Sequence, residues 1–285
     1  MRMLRASCAL AFALAVLGGW GARSAAQVEA VDLHLVLAVD VSWSMDPEEQ
    51  RLQRDGYVDA FRDTAVIKAI QSGPAGRIAV TYFEWAGADI QFMVVPWMLV
   101  DGQEGAHRLA DQLAERRIGR HRMTSISSAL EYARRLLAEA PGIADRRVVD
   151  VSGDGPNNSG VAPVTLVRDA LLADGVVING LPIMLKVGRE GGQGFGFGQD
   201  IAELDEYYAR RVIGGPGSFV IPVRTRGEFA TATRQKLLQE ISWLPAPRVV
   251  RVQRLLEAPA PLVDSYDCLV GERNWQRYFL DRGRF

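Results

Sequence analysis

The chain has 285 residues, 48% of them hydrophobic, enough to bury the core of one large domain or two small ones. Its 33 Lys and Arg balance 34 Asp and Glu to a net charge of −1, which rules out recognition of nucleic acid through bulk charge. Arginine is locally dense at Arg116-Arg117-Ile118-Gly119-Arg120-His121-Arg122 and in the last forty or so residues; both stretches read as solvated faces.

Residues 1–26 have the layout of a secretory signal. Arg2 and Arg5 give a positive start, an apolar segment follows from Ala9 to Leu17, and Ser24-Ala25-Ala26 offers small residues for cleavage before Gln27. The apolar segment is short for a membrane span, and no other stretch is long and apolar enough, so the expectation is a periplasmic or secreted protein without a span after cleavage. Cleavage removes Cys8 and leaves Cys268 alone, so no internal disulfide is expected. Asn157-Asn158-Ser159 fits a glycosylation sequon, read here as chance.

Val31-Asp32-Leu33-His34-Leu35-Val36-Leu37-Ala38-Val39-Asp40 is a nearly unbroken apolar run, the habit of a strand buried on both faces. Asp46-Pro47-Glu48-Glu49 starts a helix, with Asp46 as N-cap and Pro47 in the first position. Apolar spacing carries that helix from Pro47 to about Ser72, where Gly73-Pro74-Ala75-Gly76 ends it. Arg77–Phe83 and Asp89–Val95 read as a hairpin around Ala86-Gly87-Ala88, which makes one edge strand antiparallel. Helices are expected at Gln103–Arg117, Ser125–Ala140 and Ala162–Ala173, with strands at Arg146–Ser152 and Val176–Met184. A Gly-rich loop at Gly191–Gly198, a short helix at Ile201–Arg211, a strand at Phe219–Val223 placed near an edge by Pro222, and a closing helix at Glu228–Ile241 complete the pattern. Strands alternating with helices predict a doubly wound α/β domain over residues 31–244, with a mostly parallel sheet and helices on both faces. Residues 245–285 form a C-terminal tail.

Asp40-Val41-Ser42-Trp43-Ser44 sits where open α/β sheets bind ligands, on the loop at the carboxyl end of a central strand. Alternation puts Asp40, Ser42 and Ser44 on one side of an extended loop. One carboxylate and two hydroxyls make a hard-oxygen set suited to Mg²⁺ and, less selectively, to Mn²⁺ or Ca²⁺. Taken alone, the pattern also fits a Ser-rich turn that caps a helix. Thr124, before Ser125-Ile126, reads alone as an N-cap, and Asp154, in Ser152-Gly153-Asp154-Gly155, reads alone as a turn former. Together they bring two carboxylates and three hydroxyls from three loops to one sheet edge, which turn chemistry does not require.

Val36–Met45, Thr124 before Ser-Ile-Ser-Ser-Ala-Leu, and Val151-Ser152-Gly153-Asp154-Gly155 resemble, in order and spacing, the von Willebrand factor type A (VWA) domain family over Val31 to Ile241. The three segments match that family's metal-ion-dependent adhesion site. The resemblance implies a Rossmann-like VWA fold in which Ser42 and Ser44 bind the metal directly. Thr124 is implied as the third ligand, directly or through water, while Asp40 and Asp154 hold coordinated waters and balance charge. It also implies a protein partner whose exposed Asp or Glu fills an open coordination position, and a last helix, Glu228–Ile241, whose movement is coupled to occupancy. Met123 departs from the family's usual Gly before the threonine. Val212–Phe219 and Tyr266–Glu272 are further similar to a branch of exported bacterial proteins of unestablished function. Trp43, between the serines, either lines the partner surface or packs under the loop.

The resulting expectation is an exported, metal-dependent protein-binding module and not an enzyme. One rival is a metal-dependent hydrolase or phosphatase with Asp40 as nucleophile. That chemistry wants a second carboxylate two residues on, where Ser42 stands. A Gly-x-Ser-x-Gly elbow is absent, His34, His107 and His121 read as structural, and the Gly191–Gly198 run lacks a Gly-Lys-Ser/Thr ending. The other rival is a metal-free α/β scaffold of the same fold.

Overall fold

In a computed structural model, residues 29–185, 203–242 and 269–273 are described. The elements run β1 (Ala30–Asp40), α1 (Pro47–Arg62), α2 (Thr64–Gln71), β2 (Ile78–Trp85), β3 (Gln91–Val100), α3 (Gln103–Glu115), α4 (Ile126–Ala138), β4 (Ile143–Gly153), α5 (Val164–Ala173), β5 (Val177–Pro182), α6 (Leu204–Tyr207) and α7 (Phe229–Ile241). A π-helical turn, Tyr208–Val212, continues α6, and a 3₁₀ turn, Arg226–Glu228, leads into α7. No helix among the described residues is long and apolar enough to cross a membrane.

The strand order is β3-β2-β1-β4-β5, with β1 central. β1 pairs in parallel with β2 and β4, β4 pairs in parallel with β5, and β2–β3 is the antiparallel edge pair. Because β1 is covered on both sides, its alternation is apolar on each face. Leu33, Leu35, Leu37 and Val39 enter a core with Tyr57 and Phe61 of α1, Leu109 of α3 and Leu237 of α7. Val36 and Ala38 enter the opposite core with Leu130 of α4, Leu171 of α5 and Tyr207 of α6. The sheet is therefore doubly wound and mostly parallel. From β1 the chain crosses to β2 on one side, and from β4 it crosses to β5 on the other. The carboxyl ends of β1 and β4 thus flank the topological switch point, where such sheets form a crevice.

Three elements differ from the sequence expectation. The single helix over 47–72 is two helices. Asp63 takes an extended backbone (φ −71°, ψ 129°), and its carboxylate caps α2 by accepting from the amides of Ala65 (2.7 Å) and Val66 (3.3 Å). The strand expected to stop at Val95 runs on to Val100, and the edge position of β3 lets Pro96 sit within it. Phe219–Val223 makes only isolated bridges to β5. Ile221 N–H donates to the Gly180 carbonyl (3.0 Å) and Val223 N–H to the Pro182 carbonyl (2.9 Å), while Pro222, lacking an N–H, falls between them. The regions read as signal segment and Gly-rich loop, and all of the tail except 269–273, lie outside the described residues.

Candidate metal-binding site

The first loop leaves β1 at Asp40. Asp40 Oδ1 accepts from the Ser42 amide at 2.7 Å, which holds the loop extended. The Ser42 and Ser44 hydroxyls lie 2.7 Å apart, and Ser44 Oγ donates to Asp154 Oδ1 at 2.5 Å. Each hydroxyl has one proton, so Ser42 donates to Ser44 and Ser44 to Asp154. The loop ends in a complete capping box. Asp46 accepts from the amides of Glu48 (2.8 Å) and Glu49 (2.9 Å), and the Glu49 carboxylate accepts from the Asp46 amide (2.9 Å). Asp46 and Pro47 are N-cap and first residue, as their order predicts.

The second loop precedes α4. Its N-cap is Ser125, whose hydroxyl accepts from the Ser128 amide, so the Thr124 hydroxyl is not the cap. Thr124 is tied instead to the third loop. Its amide donates to Asn158 Oδ1 (2.8 Å), and its carbonyl accepts from the amides of Asn158 (2.8 Å) and Ser159 (3.2 Å). A Cβ placed on Gly155 would lie 4.0 Å from Thr124 Oγ1, so the threonine hydroxyl faces the Asp154 loop. The first and second loops are joined through the backbone as well. Trp43 N–H donates to the His121 carbonyl (2.7 Å) and His121 N–H to the Val41 carbonyl (3.1 Å). The Ser42, Ser44 and Asp154 side chains therefore meet directly, Asp40 joins them through the Ser42 amide, and Thr124 lies on a loop interlinked with both of the others.

Met123 has φ 70°, the only positive φ at a non-glycine among the described residues. That backbone region is easy for Gly and strained for other residues. The resemblance's usual glycine thus has a conformational reason, and Met123 adopts the same turn at a cost.

The group is recessed. Asp40, Ser42, Thr124 and Asp154 are 0%, 1%, 2% and 5% exposed, and Ser44 alone of the five is partly exposed. Burial first, and the neighbouring Asp154 charge next, push the Asp40 carboxyl well above the ordinary carboxylate range, against the Ser42 amide that favours its charge. Asp40 Oδ2 is buried without a hydrogen-bond partner, as is the Tyr208 hydroxyl. Both crowd Gly153, where a Cβ would come within 2.8 Å of Asp40 Oδ2 and 2.9 Å of the Tyr208 oxygen. Gly153 is thus required by close approach. Among the described residues no group of three or more His, Cys, Asp or Glu could hold a metal. A set of two carboxylates and three hydroxyls is not of that kind, and an orphaned carboxylate oxygen beside it fits a hard cation and its waters.

Asn157, Asn158 and Tyr208 escaped the sequence reading. Asn157, taken there as a chance sequon, is 1% exposed. Its Oδ1 accepts from the Ser127 amide (3.1 Å), and its Nδ2 donates to Glu272 (2.5 Å) and to the Ser159 carbonyl (3.0 Å). Such a side chain is spent on the fold. Two adjacent asparagines after Gly-Asp-Gly-Pro were the available signal, because Asn side chains organise turns.

A parallel-centred sheet with one antiparallel edge, helices on both faces and this loop cluster at the switch point define the VWA fold. Solved structures of that fold cover 74% of this chain: proximal thread matrix protein 1 from the mussel byssus (18% identity, TM-score 0.51), the pilus adhesin SpaC from Lactobacillus rhamnosus GG (11%, 0.52) and a von Willebrand factor type A protein from Catenulispora acidiphila (13%, 0.50). The matched share of those proteins is 48%, 31% and 43%, so the chain spans less than half of each. Residues 30–245 match the family described as "Protein of unknown function (DUF1194)", and the chain belongs to that family. No curated protein matches it.

Proposed function

We propose that this chain is an exported binding module in which Asp40, Ser42, Ser44, Thr124 and Asp154 hold a divalent cation that engages an acidic group on a partner protein. What supports this reading is the direct Ser42–Ser44–Asp154 chain of hydrogen bonds beside a buried Asp40 Oδ2 that lacks a partner, with Thr124 on the loop tied to the one that follows Asp154. Ser42, Ser44 and Thr124 would supply neutral oxygens, leaving the cation electrophilic towards a partner's carboxylate. Asp40 and Asp154 would balance its charge and orient waters. The all-oxygen set favours Mg²⁺, with Mn²⁺ or Ca²⁺ as alternatives. Proximal thread matrix protein 1 from the mussel byssus has a structure with a zinc-occupied MIDAS motif, which supports a divalent cation without choosing Mg²⁺. Hydrolysis with Asp40 as nucleophile is disfavoured because that carboxylate is wholly buried and one oxygen is held by the Ser42 amide.

Calorimetric titration with Mg²⁺ and with Mn²⁺ tests the reading. Heat of binding and a rise in thermal midpoint are expected, the stabilisation reaching about 2.7 kcal/mol at a hundredfold excess over Kd. Both should vanish in Asp40→Ala/Ser42→Ala while the fold persists. The recessed position of the group and the direct Ser44–Asp154 hydrogen bond favour a second reading, the metal-free scaffold. Under it neither metal gives heat, and Ser44→Ala costs about 1–3 kcal/mol of stability by stranding the buried Asp154 acceptor.

A further inference from the structure

The arginine-dense stretch that composition assigns to a solvated face lies against the candidate metal site. Residues 116–123 contain Arg116, Arg117, Arg120, Arg122 and His121, with no acid. The backbone pairing of Trp43 and Val41 with His121 fixes this loop to the one carrying Ser42 and Ser44. The guanidinium groups of Arg120 and Arg122 lie over the Trp43 ring, 5.8 and 4.6 Å from its centre. Arg120 also donates to the carbonyls of Trp43 (3.1 Å) and Met45 (3.3 Å), and Trp43 Nε1 donates back to the Arg120 carbonyl (3.2 Å). Trp43 thus carries two cations against its ring, one residue from each serine.

The surface continues outward. The His121 ring meets the Phe92 ring at 4.8 Å. Phe92 and Met93 on the edge strand β3 are 44% and 37% exposed, among the few large apolar side chains left in solvent. Several arginines elsewhere pair with acids, as Arg62 does with Asp111 and Arg134 with Asp174; among the described residues no such ion pair joins Arg116, Arg117 or Arg120. Trp, Phe, Met and Arg without Lys is the composition of binding surfaces, whose energy concentrates in such anchors. A guanidinium beside an indole face keeps its charge and a fork geometry that matches a carboxylate.

We infer that the Arg116–Arg122 loop with Trp43 is the second half of the recognition surface and selects a partner segment with at least two clustered carboxylates. The inference rests on the proposed metal site: one carboxylate goes to the cation and the next to Arg120 and Arg122. Two carboxylates two or three residues apart along an extended segment lie roughly 7–10 Å apart, a spacing suited to neighbouring loops. An acidic protein segment is favoured over an anionic glycan because Phe92, Met93 and Trp43 offer apolar anchors beside the charges.

The test uses the purified chain in Mg²⁺ and three fluorescein-labelled Gly/Ser peptides: one with Asp-Gly-Asp, one with a single Asp, and an Asn counterpart. In fluorescence anisotropy the diacidic peptide should bind about tenfold tighter than the monoacidic one, and added NaCl should erase the difference. Arg120→Gln/Arg122→Gln should abolish that ratio while Mg²⁺ still binds with measurable heat. Arg122→Gln alone, which leaves both carbonyl contacts of Arg120 in place, should reduce it. Equal affinities, a ratio preserved in both variants, or no binding of either peptide at about 1 mM overturns the inference. Tighter binding of a heparin hexasaccharide than of the diacidic peptide also overturns it, in favour of a glycan. Failure of the metal reading has a different signature: arginine-dependent peptide binding that chelator does not affect.

Discussion

Lys236→Met is the sharpest perturbation the fold offers. Lys236, on α7, is wholly buried, with its ammonium 2.8 Å from Asp150 Oδ1 and paired also with Glu240. Asn179 Nδ2 donates to Glu240 at 3.0 Å, and the Tyr57 hydroxyl donates to Asp150 Oδ2 at 3.1 Å. At an effective dielectric constant near 20, a pair at that separation attracts by about 6 kcal/mol, and burying each ion costs several kcal/mol, so the intact cluster contributes little net stability. Removing the cation alone leaves two carboxylates without compensation, a loss of about 3–5 kcal/mol. Protonation limits that loss. Neutralising a carboxyl of ordinary value 3.8, that of Asp150, costs about 2 kcal/mol at pH 5.5 and about 6 kcal/mol at pH 8. Urea unfolding of Lys236→Met should therefore show a deficit near 2 kcal/mol at pH 5.5, rising to the full 3–5 kcal/mol at pH 8. A deficit independent of pH, or one below about 1 kcal/mol at pH 8, would refute the cluster as a buried charge balance.

Two further outcomes follow from the same region. Burial, opposed by Lys236 and reinforced by Asp150, pushes the Glu240 carboxyl from 4.5 up to about 7. A carboxyl raised in the fold contributes its full stability below pH 4.5 and loses it as pH rises through 7, so Glu240→Gln should flatten the stability–pH curve in that window; an unchanged slope in urea titrations would remove Glu240 from the account. Gly153→Ala would press a methyl against Asp40 Oδ2 and the Tyr208 hydroxyl, at 2.8 and 2.9 Å, and should destabilise by about 1–3 kcal/mol and abolish metal heat. Wild-type stability in that variant would mean the β1–β4 crevice is looser than these distances imply.

What could be read from the sequence was what local chemistry dictates. β1 was legible because burial on both faces leaves an apolar run that few other environments permit. The Asp46 cap was legible because cap, proline and Glu49 lie within four residues. The break at Asp63 was not, since apolar periodicity continues across it; only the capping habit of Asp before Thr-Ala-Val marks it. The three site segments could be grouped because each ends at a strand or helix terminus on one sheet edge. The role of the basic loop could not be, since composition says nothing of the backbone pairing that seats His121 against Trp43.

Lys236 and Glu240 show the same limit from inside the core. Four residues apart on a helix, they have the spacing of a solvent-side ion pair, and periodicity alone places them outward. The contrary signal lies elsewhere in the chain, in Asp150 amid Val148-Val149-Asp150-Val151. An acid in the middle of a strand covered on both faces must meet a cation or hold its proton, and α7, packed against α1 beside the sheet, supplies Lys236. Asp150 lies three residues before Gly153 on the strand that delivers Asp154. The last helix is thus fastened to the site-bearing strand by charge as well as by apolar contact. Sliding α7 along the sheet would separate Lys236 from Asp150 in the core, so any movement of this helix carries an electrostatic cost that protonation at low pH would lower.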